Sequence, residues 1–138
     1  MVNDIIRSYC NERGFFVDAN FQEVHIDEKF FWGLSVGLNS SLTNLFANIL
    51  GRTNFGGGLL KIQTYEVADI FVVNPVLMDS KKCQQIILNS KKEKDYKKEL
   101  SPCDFLVQKT LNLSDNEQND LLETLGKLIQ DRNSRAGR

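Results

Sequence analysis

Glu28-Lys29-Phe30-Phe31-Trp32-Gly33-Leu34-Ser35-Val36-Gly37-Leu38-Asn39-Ser40-Ser41-Leu42-Thr43-Asn44-Leu45-Phe46-Ala47-Asn48-Ile49-Leu50 is the stretch whose reading decides the fold. Phe31, Leu34, Leu38, Leu42, Leu45 and Ile49 follow one another at steps of 3, 4, 4, 3 and 4, the spacing that lines up one stripe of an α-helix. Phe30, Trp32, Val36 and Phe46 widen the stripe. The pattern predicts one long, largely buried helix over 28–50, the spine of the chain, ended at Gly51 by a left-handed cap. Its aromatic residues read either as core or as platforms for stacked bases.

Upstream, residues 21–26 alternate, with Phe21, Glu23 and His25 on one face and Gln22, Val24 and Ile26 on the other. This predicts a strand, with Asp27 capping the helix that follows. The single histidine, His25, then lies on the less apolar face, in a hydrogen-bonding or a ligand role. Downstream, Leu59-Leu60-Lys61-Ile62-Gln63 and Phe71-Val72-Val73-Asn74-Pro75 read as short strands, the second ended by proline. Thr64 opens a turn between them, over 65–70, and Ser80 opens a short helix around Cys83, Ile86, Ile87 and Leu88. Ser101-Pro102 starts a helix with proline at its preferred first position. Ser114-Asp115-Asn116-Glu117 is a capping box, with Leu113 as staple residue, before a helix whose Leu121, Leu125 and Leu128 share a face with Leu122 and Ile129. Residues 133–138 are expected to fray. The fold class expected is α+β: a long buried helix, a small β-sheet and a C-terminal helical pair. Residues 1–138 are expected to form a single domain, with a core over 17–76, a lysine-rich connector over 77–100 and closing helices over 101–136.

Composition bounds the function. The chain has 138 residues, 41% hydrophobic and 25% charged, with a net charge of −1. That balance argues against a polybasic nucleic-acid binder, which relies on excess positive charge. Charge is uneven: residues 1–30 carry six acids and three bases, whereas 81–99 carry seven lysines and three acids. The lysine run reads as a solvated connector or as a phosphate-contacting patch. The sequence has no apolar run of about eighteen residues, the length that crosses a membrane. The first seven residues lack a signal-peptide pattern, so a cytoplasmic location is expected. Cys10, Cys83 and Cys103 lack both zinc-site spacing and a disulfide framework, and read as inert, buried thiols.

No catalytic constellation stands in the sequence. The triple glycine at 56–58 lacks the lysine of a phosphate loop, and it follows a helix and precedes a strand, the reverse of the order that aims a helix at phosphate. Glycine also lets a backbone approach a phosphate or a neighbouring chain closely. Arg52, Thr53, Asn54, Gly56, Gly57, Gly58 and Lys61 are therefore the candidate DNA-facing residues: a guanidinium fork, two polar side chains, three open amides and a second cation. The competing reading is a tight turn packed on the spine helix.

Leu38-Asn39-Ser40-Ser41-Leu42, the block Gly51 to Ile62, and Val72-Val73-Asn74-Pro75 together resemble the C-terminal region of N6-adenine DNA methyltransferases of restriction-modification systems. Leu111-Asn112-Leu113-Ser114, Leu121, Leu128 and Arg132 resemble that family's closing helix and terminal arginine. The resemblance spans about residues 17–76 and 101–136, leaves the lysine run unmatched, and extends to the recognition domains of type I specificity subunits. It implies a DNA target-recognition region, with double-stranded DNA and a methyltransferase catalytic domain or subunit as partners. The family's Asn/Asp-Pro-Pro-Tyr/Phe tetrapeptide is missing, since Asn74-Pro75-Val76-Leu77 does not supply it, and so is its S-adenosylmethionine loop. The chain is thus expected to be non-catalytic and cofactor-free, a recognition end without its engine, with S-adenosylmethionine held only by a parent or partner domain. Two other readings stand beside this one: a protein-interaction module that docks on a catalytic partner without touching DNA, and a small enzyme using the glycine loop for a phosphate ligand.

Overall fold

The computed structural model describes residues 5–18, 21–52, 59–90 and 101–136. Its elements are α1 (Glu28–Leu38), α2 (Ser41–Leu50), α3 (Thr64–Val67), a 3-10 turn (Pro75–Leu77), α4 (Ser80–Ser90), α5 (Pro102–Leu111) and α6 (Asp115–Ala136). Helices take 62% of the described residues and strand only 3%. The expected α+β class with a small sheet is therefore corrected to a helical fold. Residues 21–26, 59–63 and 71–75 form no strand, and Arg52 with Lys61 make an isolated antiparallel bridge. Strand-like composition forms strands only where a partner edge exists.

The spine over 28–50 is also corrected: it is two helices. α1 ends at Asn39, and Ser40 turns to an extended backbone (φ −82°, ψ 154°) and caps α2 by accepting the amide of Thr43. The apolar spacing runs through this break without a slip, so periodicity alone could not locate it. The stripe does not face the core throughout, because Ile49 is 59% exposed while Thr43, Asn44 and Asn48 are buried. Gly51 is extended, not left-handed (φ −70°, ψ 152°).

Two packing regions result. In the first, α1, α4 and α5 enclose Val36, Val73, Met78, Cys83, Ile87, Cys103 and Val107, with Trp32, Leu42, Ile86 and Leu106 against them. α1 lies so close to the 3-10 turn that a Cβ on Gly33 would stand 2.9 Å from the Cβ of Pro75. Burial, then Asp104 and Cys83 nearby, pushes the Cys103 thiol up to about 12. Burial likewise raises Cys83, so both stay protonated at neutral pH and serve as packing groups. In the second region α6 lies along α2, burying Ala47 and Leu125. The seam also has a polar part, where Arg132 donates to Asn48 Oδ1 beside Leu128. Elsewhere on α2, Asn48 donates to the carbonyl of Asn44 at 2.8 Å, and Thr43 donates to the carbonyl of Phe71 at 3.2 Å.

Asp104 ties the two regions together. It is 5% exposed. One carboxylate oxygen accepts the amide of Ser41 at 2.6 Å; the other accepts the hydroxyls of Ser41 at 3.0 Å and Ser101 at 2.8 Å. In return the Ser101 hydroxyl accepts the Asp104 amide at 3.1 Å, completing the cap of α5. The α6 capping box forms as read, with Glu117 accepting the Ser114 amide at 2.8 Å. Ahead of α1, residues 5–10 run as a strap over the α1–α2 break. Asn44 accepts the amide of Ile6 at 2.6 Å. Asn39 accepts the amide of Ser8 at 3.0 Å and donates to its carbonyl at 3.1 Å.

Removing the shared cap costs both helices. Asp104→Ala is expected to lower unfolding free energy by about 2–4 kcal/mol, since a lost cap costs roughly 0.5–2 and buried bonds to a charge about 1.5–3. Urea denaturation checks this; an unchanged midpoint would refute the shared role. Leu125→Ala, which truncates a buried side chain of α6, is expected to cost about 2–5 kcal/mol in the same assay.

Candidate nucleic-acid interface

α2 delivers the chain to the candidate site through Gly51. A Cβ there would stand 2.8 Å from Cγ of Leu60 and 2.9 Å from the carbonyl oxygen of Ala47, so only glycine lets fully buried Leu60 press against the end of α2. That contact sets Arg52 opposite Lys61. The two exchange backbone hydrogen bonds, Arg52 amide to Lys61 carbonyl at 2.9 Å and Lys61 amide to Arg52 carbonyl at 3.0 Å. They form a neck that brings together two of the seven candidate residues. Thr53, Asn54, Gly56, Gly57 and Gly58 lie outside the described residues.

The Arg52 side chain, 50% exposed, is held rather than loose. Its Nε donates to Oε1 of Glu66 at 2.8 Å, and its Nη2 donates to the hydroxyl of Tyr65. The Tyr65 ring also flanks the guanidinium, 5.8 Å from centroid to carbon. Glu66 is itself fixed: Oε2 accepts the backbone amide of Gln63 at 2.7 Å. That bond, then Arg52 and Lys61, holds the Glu66 carboxyl below its ordinary value, against the opposing effect of desolvation.

Tyr65 and Glu66 are the residues that the sequence reading missed. Thr64 was expected to cap this turn, yet the turn starts after Gln63, and the pair Gln63-x-x-Glu66 carries the spacing of a capping box. That spacing was the available signal. His25 stands apart from the neck in an exposed segment, its ring 3.6 Å from Glu23. Around the end of α2 the surface is apolar: the rings of Phe46 and Phe71 stack at 4.9 Å, and Leu50, Ile70 and Phe71 line a shallow depression with Ala68, Asp69 and Val72. Among the described residues no helix is long and apolar enough to cross a membrane. Comparisons with protein-family models, curated proteins and solved structures give no match.

The Glu66 clamp has a pH signature. Because the folded carboxyl is held below its ordinary value of 4.5, its contribution is present above that value and is lost as pH falls through the lower, folded one. Tyr65 fluorescence cannot be isolated beside Trp32, so Glu66 is best followed by carboxyl NMR. Its titration is expected below 4.5 in the parent and to move upward in Arg52→Ala.

Proposed function

We propose that the chain is the DNA target-recognition end of an adenine-specific DNA methyltransferase of a restriction-modification system. It acts in the cytoplasm on double-stranded DNA, beside a methyltransferase catalytic domain or subunit that carries S-adenosylmethionine. The chain itself positions DNA and performs no methyl transfer. The observation that carries this reading is the neck: the Gly51–Ile62 block that resembles the family has its two cations, Arg52 and Lys61, paired across one antiparallel bridge. The pairing supports a role for both at a single phosphate-rich surface, where cations fix register and a guanidinium can read a base edge.

A second reading, docking on a protein partner without DNA, is favoured by one observation. Phe15, Phe16, Ile49, Phe71, Val76 and Leu77 are each more than half exposed, apolar surface that a partner would cover.

With a net charge of −1, affinity for DNA must come from local cations, so binding is expected to be weak and steeply salt-dependent. Lys61→Ala is expected to reduce the salt slope by about one unit, the effect of losing one phosphate contact. Fluorescence anisotropy on duplex DNA at low and moderate salt measures this; absence of binding at low salt would hand the lead to the docking reading. Calorimetric titration with S-adenosylmethionine is expected to give no heat, and micromolar binding would overturn the division of labour.

A further inference from the structure

We infer that Arg52 is a base-reading residue that recognises a guanine in the major groove, with Glu66 and Tyr65 as its positioning residues. The inference rests on the recognition reading above and names what one of its residues contacts. A guanidinium is a planar fork with donors in fixed directions. Nε and one hydrogen of Nη2 share one edge; Nε donates to Glu66 at 2.8 Å and Nη2 to Tyr65. Among the described residues the outer edge, Nη1 with a hydrogen of Nη2, meets no acceptor other than the Tyr65 hydroxyl. Two parallel donors on one edge match the O6 and N7 acceptors of guanine, the commonest bidentate base contact.

Charge then chooses between a base and a phosphate. Glu66 lies in direct contact with Arg52, and the pair together carries almost no net charge. Such a pair gains little from approaching a phosphate, whose attraction depends on net positive charge and counterion release. Its directed donors are undiminished toward guanine, whose acceptors are neutral. Glu66 is also immobilised at its other oxygen by the Gln63 amide, so the fork is oriented before DNA arrives and less side-chain freedom is lost on binding. Lys61, across the bridge, carries a compact point charge suited to a phosphate contact.

The test starts with selection of binding sites from randomised duplex DNA by the full chain and by Arg52→Ala. The parent is expected to enrich a motif containing a guanine, and Arg52→Ala to lose the preference at that one position while keeping the others. Replacing that guanine by 7-deazaguanine, which removes N7, is expected to weaken the parent by about 5- to 150-fold and to leave Arg52→Ala unaffected. This arm alters only the DNA and so does not depend on how a variant folds. Glu66→Gln, which frees the charge of Arg52, is expected to raise the salt slope by about one unit and blunt the guanine preference. The inference is overturned if the parent tolerates 7-deazaguanine at every selected guanine. It is equally overturned if Arg52→Ala keeps the motif but loses a unit of salt slope, the mark of a phosphate contact. Binding without any sequence preference would also overturn it while leaving DNA binding intact; no binding at low salt would remove the recognition reading itself.

Discussion

The carboxylate of Asp104 is the constraint on which the arrangement depends. A carboxylate that is 5% exposed costs several kcal/mol unless its oxygens are satisfied. Here they meet the amide and hydroxyl of Ser41 at the start of α2 and the hydroxyl of Ser101 at the start of α5. Both helix N-termini present partial positive charge, so one anion serves two ends. Fixing the start of α2 on α5 forces the chain to break between Leu38 and Ser41, and the break sets where α2 ends. Gly51, Leu60 and the Arg52–Lys61 bridge follow from that endpoint.

At the neck the same economy recurs on the surface. One carboxylate, Glu66, ties the backbone at Gln63 to the side chain of Arg52. Arg52 is thereby linked both through its backbone to Lys61 and through its side chain to α3. A residue held twice in this way has one orientation. Glycines and cations mark this block in the sequence; Tyr65 and Glu66 are the pair that orients one of those cations.

Helix starts with side-chain signatures were legible in the sequence: Ser101-Pro102 and the Ser114–Glu117 box sit where they were read. The α1–α2 break was not, because Ser40 is a cap embedded in an uninterrupted apolar period, and the residue that holds the start of α2, Asp104, lies 63 positions beyond Ser41 along the chain. The sheet was misread for a related reason. Residues such as Phe71, Val72 and Val73 fit a pleated surface, but strand formation requires a neighbouring edge that composition does not reveal. Here the carbonyl of Phe71 is satisfied by a side chain of α2 instead. Of the candidate site, Arg52 and Lys61 were visible from their motif; Tyr65 and Glu66 emerge only once the bridge folds α3 back onto Arg52.

The seam between α2 and α6 sets the buried pair Asn48 and Arg132 beside Ala47, Leu125 and Leu128, which bears on how the protein responds to temperature. Exposing hydrocarbon raises the heat capacity of unfolding, whereas exposing amide and guanidinium groups lowers it. A seam of mixed composition adds less curvature to the stability profile than an equal area of hydrocarbon alone would. Its hold weakens less on cooling than an equal area of leucine packing would, because hydrophobic attraction fades in the cold.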